Sequence, residues 1–439
     1  MDRYRSGFAG TASGLATADP GAGRHVTGIA VRLQTVLNGR MRHTGLLIIT
    51  GLQLLAACAT APFDAAPVDR QPFAERAVVQ TQQTVRVAAA VPDADETRRL
   101  TGLDLYAKGI QPVWLQVTNL GDQRVRAALH SVDEEYFSPM EVAWKYRNRF
   151  SKQGRAAMER WFYDNQMPRW INAGETRSGF VFTHLNKGTK GFNFDVYSTK
   201  RSFNFTFFVP IPGFFADYME VDFKTLYKQD EIRTLDVDGL REALTSLPCC
   251  STDETGDRLG DPINVVLVGT PLAVRRSLLR ARWQETSVSD PETELARTHR
   301  YRGRQPDGTF HKSRPDGGER KELRLWLSPL RVADTPVWIG QASYDMSGAT
   351  GVNAFRNFRI DPEIDDARDF LLQNFWYNQS LTRVGYVGGV PRAPISSPAA
   401  SFSGFEYFTD GYRVVLFVSE NPIAMDETDV LPWENVRVK

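Results

Sequence analysis

Cysteine is scarce in this chain. Three of 439 residues are Cys, and two of those are neighbours, Cys249 and Cys250. A disulfide framework therefore cannot organise the fold, and no Cys-x-x-Cys stands ready for redox or zinc chemistry. In an oxidising compartment the adjacent pair could close a vicinal disulfide, bind metal or stay reduced and buried. Histidine is also sparse, with six in the chain. Beyond His25 and His43 they are His130, His184, His299 and His311, spread too widely to read as metal ligands. Neither sign of charge dominates, the net being +1, so no global field points to nucleic acid. A Gly-x-Ser-x-Gly elbow, a His-Glu-x-x-His pair and a phosphate-binding Gly loop are all missing. No cofactor and no metal are expected on these grounds. No apolar run reaches the about 20 residues that a membrane-crossing helix needs.

One shorter apolar run carries the clearest signal. It begins near Gly45, includes Leu46 to Ile49 and Leu52 to Leu55, and ends in Leu55-Ala56-Ala57-Cys58. Met41, Arg42 and His43 supply a short basic start, and two small residues precede the Cys. This is the pattern of a bacterial lipoprotein signal, with Cys58 as the acylated residue. Three acyl chains on Cys58 would exceed the two that suffice for stable anchoring. Residues 1–40 then read as an over-extended start without order, 41–57 as the signal peptide and 58–74 as an Ala- and Pro-rich tether. Ala59 after the Cys favours the outer membrane, facing the periplasm.

About 380 residues follow Cys58, enough for two or three domains. Hydrophobic residues make up 42% and aromatics 11%, sufficient for real cores. Val78 to Ala90 reads as a strand, and Asp93 with Glu96 as a capping box opening a short helix. Gln111 to Asn119 alternates in polarity, turns at Asn119-Leu120-Gly121-Asp122 and returns through His130, which predicts a hairpin. Ser138-Pro139-Met140-Glu141 opens a helical stretch to about Tyr163, broken near Gln153-Gly154. Strands at 179–185, 192–197 and 203–209 complete a β-sandwich with a helical insertion, residues 75–225. Residues 226–262 read as a connector with a short helix near 238–247. Its Asp253, Glu254, Asp257 and Asp261 resemble a loose calcium loop, but their spacing fits a solvated turn better.

The second domain, 263–420, alternates strand and helix. Ile263 to Gly269 is an apolar strand, and Thr270-Pro271 caps a helix to Trp283. Strands follow at 323–327 and 336–344, then a helix opened by Ile360-Asp361-Pro362 with the stripe Ile364, Ala367, Leu371 and Phe375. Strands near 383–387 and 412–418 close it. The order β-α-β-β-α-β predicts a ferredoxin-like α+β sandwich, and residues 421–439 form a tail.

Five segments in order carry a family resemblance. They are Ile263 to Gly269, Leu323-Arg324-Leu325-Trp326, Pro336 to Gly340, Ile360 to Asp365 and Tyr407-Phe408-Thr409-Asp410-Gly411. Together they resemble the LssY-like C-terminal domain across about 261–420. The resemblance implies a bacterial envelope protein and assigns no reaction. In some relatives the domain accompanies membrane phosphatase-type segments or lies near secretion genes. Relatives often carry His just before the Val/Leu-Arg-x-Trp motif and just before Ile-Asp-Pro. Here those positions are Glu322 and Arg359, a potential salt bridge if they touch.

Candidate chemistry is thin. Asp361, Asp365 and Asp369 recur every fourth residue on one helix face and could meet Arg324 and Arg331. Asp361 also suits an N-cap and Pro362 the first helical position. The stretch 271–331 holds fourteen Lys and Arg against eight Asp and Glu, an excess of six. It reads as a basic loop able to meet anionic headgroups or an anionic envelope polymer. The expectation is a membrane-anchored, non-catalytic binding or scaffold module whose partner is an envelope protein or anionic polymer. The alternative is a hydrolase of an envelope lipid or phosphate, with Arg324, Arg331, Asp361, Asp365 and Asp410 sharing one cleft.

Overall fold

The computed structural model describes residues 61–68, 71–290, 296–313, 319–346 and 359–434. The lipoprotein signal through Cys58 lies outside the described residues. The described residues belong to one compact unit, Ala59–Lys439. It is mixed α+β, as expected.

The first part runs α1 (Pro72–Glu75), β1 (Val78–Gln82), β2 (Val85–Ala90), α2 (Ala94–Thr101), β3 (Ile110–Asn119) and β4 (Val125–Ala128). It continues with α3 (Pro139–Tyr146), α4 (Lys152–Asp164), β5 (Trp170–Ile171), β6 (Thr176–His184), β7 (Thr189–Tyr197) and β8 (Ser202–Pro210). Two four-stranded sheets result, ordered β1-β2-β3-β6 and β5-β4-β7-β8. Their inner faces share one core, with Val87, Leu115 and Val181 meeting Phe194, Phe205 and Phe207. This is the expected sandwich. Each fully buried side chain of this size contributes roughly 2 kcal/mol by leaving water. The helices cover the outer face of the first sheet, packing Phe73, Leu100, Val142, Met158 and Phe162 against Trp114, Phe180 and Phe182.

Four local expectations need correction. Val78 to Ala90 is two strands joined at Gln83, whose φ of 51° makes a turn that no Gly or Pro announces. β3 and β4 are not a hairpin: β3 pairs with β2 and β6, whereas β4 pairs with β5 and β7. After Asn119 the chain crosses between sheets, and the Asn119 amide fixes the crossing by donating to the carbonyls of Gln123, Ile171 and Asn172. The helical break falls at 147–150 instead of at Gly154, which sits inside α4 behind the Ser151 cap. Finally, the tether is not loose from Ala61 onward. Ala61 accepts a hydrogen bond from the Ser151 N–H at 3.2 Å, and the Phe63 ring packs on Phe150 and Trp161.

The second part runs β9 (Arg233–Leu235), α5 (Val237–Thr245), β10 (Cys250–Thr252), β11 (Leu259–Pro262), β12 (Val265–Val268), α6 (Pro271–Arg280), β13 (Gln284–Glu285) and β14 (Gly308–Ser313). It ends with β15 (Arg320–Val332), β16 (Thr335–Asp345), α7 (Ile364–Tyr377), β17 (Leu381–Val387), β18 (Ala399–Ala400), β19 (Glu406–Tyr407), β20 (Arg413–Val418) and β21 (Asp429–Val430). The large sheet is ordered β13-β14-β15-β16-β12-β20-β17-β21, with β9 added beside β15.

Within it, β15, β16, β12 and β17 follow the ferredoxin-like order. The departure is β20, inserted between β12 and β17, parallel to the first and antiparallel to the second. Alternation decides the faces. Val265 and Leu267 turn toward α6 and α7, meeting Val274, Leu278, Leu371 and Phe375. Val266 and Val268 turn the other way, toward Leu240 and Leu244 of α5. The sheet is thus covered on both faces, which explains why its central strands are continuous apolar runs.

Candidate functional site

The five candidate residues do not share one cleft. Arg324 is 1% exposed and belongs to the β15 positions that turn toward the α5 side, along with Trp326. Arg331 lies near the end of β15, paired with Pro336. Asp365 opens α7, which packs on the opposite face of the sheet. Asp361 is not the helix cap: Glu363 holds that position, and the Asp361 carboxylate accepts from the Glu363 N–H at 3.0 Å.

Only Asp365 and Asp410 come together, and the group that joins them was not anticipated. Arg368 Nη1 reaches Asp410 Oδ1 at 2.8 Å and Asp365 Oδ1 at 3.3 Å, while its Nε reaches Asp369 at 2.8 Å. Asp365 also accepts from the Thr409 hydroxyl and the Asp410 N–H. Burial opposes the Arg368 charge, but bonds from Asp410 and Asp369 and the charge of Asp365 outweigh it and raise its pKa. Burial likewise pushes Asp365 up, against the pull of Arg368. This lattice stitches the 407–412 turn to the first turns of α7. A signal for it was present, since Arg368 falls on the same stripe as Ile364, Ala367, Leu371 and Phe375. An Arg on an apolar stripe needs buried partners.

On the other face, Arg324 is held by Glu322 at 2.9 Å, by the Gln341 amide oxygen and by Asp261 at 3.8 Å. Glu322 therefore finds its partner two residues along the strand, and Arg359 is exposed. Beside this group the buried His299 contacts the Ser251 hydroxyl at 3.2 Å, and that hydroxyl also donates to the Asp261 carbonyl. Burial first, then Arg324, drives the His299 pKa well below its ordinary value of 6.5. Burial pushes Asp261 up, against the pull of Arg324. Ser251 is fully buried, so this pair cannot attack a solvent-borne substrate. It is a polar core.

A cleft of about 830 Å³ opens next to it, between α5, β9, the bulged part of β15 and the 301–304 turn. Leu235, Leu247, Leu330 and Ile339 line its apolar side, and Arg233, Arg302, Glu231 and Glu242 carry charge around it. The turn is a two-residue hairpin closed by bonds between Tyr301 and Arg304, with φ of 51° at Arg302 and 80° at Gly303. Positive φ at both positions is the primed turn that suits a twisted hairpin. An Arg there costs about 1 kcal/mol relative to ordinary backbone. The Tyr227 hydroxyl donates to Leu327 at 2.7 Å, and Arg304 bonds Tyr227 and Asp307. Tyr301 differs: it is 5% exposed, lines the cleft, and its hydroxyl has no hydrogen-bond partner. Burial pushes its pKa up to about 12, so it is a neutral donor.

The wall behind is densely hydrogen-bonded. Arg413, fully buried, donates to the carbonyls of Ile263, Leu244, Leu247, Pro248 and Gly389. Cys249 and Cys250, next in the chain after Pro248, are joined by a disulfide. The neighbouring acidic turn is closed by Asp253, which accepts from the N–H groups of Gly256, Asp257 and Arg258. Among the described residues no group of His, Cys, Asp or Glu is placed to hold a metal ion. The basic stretch runs through α6, β13, β14 and most of β15 instead of forming one loop, and many of its cations are paired internally. Arg275 meets Glu285, Arg297 meets Glu220, Arg300 meets Glu254 and Arg304 meets Asp307. No helix among the described residues is long and apolar enough to cross a membrane.

The chain matches no curated protein. A family does match, over the segment that supplies the 301–304 turn, β14 to β17, α7 and the Arg368 lattice: residues 296–412 match the LssY C-terminus family, the one expected from the five ordered segments.

Proposed function

We propose that this chain is a lipid-anchored protein of the bacterial cell envelope, held at Cys58 to the periplasmic face of the outer membrane, and that its C-terminal part binds a ligand without transforming it. The Leu55-Ala56-Ala57-Cys58 signal supports the anchoring. The observation that carries the binding reading is the Tyr301 hydroxyl, a buried donor without a protein partner on the wall of an open cleft. Buried polar groups in folded proteins are nearly always satisfied, so an orphan hydroxyl on a residue that lines a cleft supports an acceptor supplied from outside. Arg233 and Arg302 can meet its anionic groups and Glu231 and Glu242 its cationic ones, so the ligand read here is a segment of an envelope protein or an anionic polymer whose apolar parts rest on Leu235 and Leu330. The hydrolase alternative needs Arg324, Arg331, Asp361, Asp365 and Asp410 in one cleft, and no observation favours it.

The test is affinity capture from detergent-solubilised envelope, comparing the wild type with Leu330→Trp, which fills the cleft, and Tyr301→Phe. The wild type should retain a specific ligand that Leu330→Trp loses. Tyr301→Phe should weaken retention about fivefold, the worth of one hydrogen bond. A wild type that retains nothing, or a Leu330→Trp protein that retains as much, defeats the reading.

A further inference from the structure

We propose that the corner of the α3–α4 hairpin lies against the membrane surface, with Trp144 inserted at the headgroup level. The inference rests on acylation of Cys58, and the length of chain beyond that residue carries it. Only three peptide steps separate Cys58 from Ala61, a reach of about 10 Å at full extension. Ala61 is already docked, its carbonyl bonded to the Ser151 N–H where α4 begins. An acylated Cys58 therefore keeps the first turn of α4 within about one helix diameter of the lipid.

The surface at that corner has the composition of an interfacial anchor. Met140 and Trp144, four apart on α3, are 47% and 62% exposed. The Arg147 guanidinium lies over the Trp144 ring at 3.3 Å. Residues 139–164 hold six Lys and Arg against three Asp and Glu, and Arg149 and Lys152 are exposed at the corner itself. Trp at the interface with basic residues facing anionic headgroups is how amphipathic surfaces hold to bilayers. Gly154 shows that the docking is built in. A Cβ there would stand 2.8 Å from the Ala61 carbonyl oxygen and 3.2 Å from the Phe63 nitrogen, so only Gly lets the chain lie on α4. The anchor thus becomes a short strap that orients the protein on the membrane, in place of a leash on which it tumbles.

The experiment uses the full acylated protein, extracted in detergent and reconstituted into phosphatidylethanolamine–phosphatidylglycerol vesicles with dibrominated acyl chains. Trp fluorescence should be quenched relative to unbrominated vesicles, and Trp144→Phe should lose most of that quenching. Gly154→Leu should still float with the vesicles yet lose the same quenching, because the strap is displaced. Wild type that floats unquenched overturns the proposal, as does Trp144→Phe quenched like wild type or Gly154→Leu that stays quenched. Flotation unchanged in Cys58→Ala overturns the lipid anchor itself, and this proposal with it.

Discussion

His299 shows at the level of one residue how burial sets a pH response. The folded protein keeps the ring neutral, packed against the Phe402 ring at 4.9 Å and bonded to Ser251. The unfolded chain lets it protonate near 6.5. Below that pH the unfolded state binds the extra proton, so stability drains away as pH falls and is fully present above it. Urea midpoints taken near pH 7.5 and 5.5 should drop for the wild type and drop less for His299→Gln. An equal drop in both would show that His299 does not carry this part of the acid response.

At the scale of elements, α7 illustrates how one misplaced charge organises a helix start. Its apolar stripe continues through Arg368, which the core accepts because Asp365, Asp369 and Asp410 surround it. Arg368→Met keeps much of the volume but leaves Asp365 buried beside Asp410 without a counter-ion. The expected cost is about 3 kcal/mol, seen as a lower urea midpoint. A variant as stable as wild type would mean that the lattice is dispensable. Periodicity revealed the stripe at 364–375, yet the true cap, Glu363, lay two residues past the expected Asp361, because Asp361 closes the preceding turn instead. The β3–β4 turn failed for a similar reason. Local residues announced a reversal after Asn119, and only the second sheet determined which strand β4 would join.

Across the whole molecule, α6 joins the sandwich to the α+β part. Arg275 pairs its Nε with Glu285 at 2.7 Å and reaches Thr189 of β7 with Nη2. Glu285 is 1% exposed and also accepts from the Tyr218 hydroxyl. Removing Arg275 would strand a buried carboxylate at the junction. Arg275→Ala should therefore lose about 3 kcal/mol, and the wild type is expected to unfold in one calorimetric transition. Two separate transitions in the wild type would show that the parts fold independently.

The sequence by itself determined what depends on near neighbours along the chain. The Asp93–Glu96 capping box, the Phe203, Phe205 and Phe207 alternation, the continuous apolar β12 and the order β-α-β-β-α-β all follow from local propensity and period. So does the short apolar run ending at Cys58, which supports the proposed anchor. Tertiary structure decided what depends on residues brought from far away. β20 enters between β12 and β17, Arg368 reaches Asp410, and Ala61 meets Gly154. Each involves groups tens of residues apart, whose meeting is set by which faces of the sheets must be buried, and no local pattern encodes that choice.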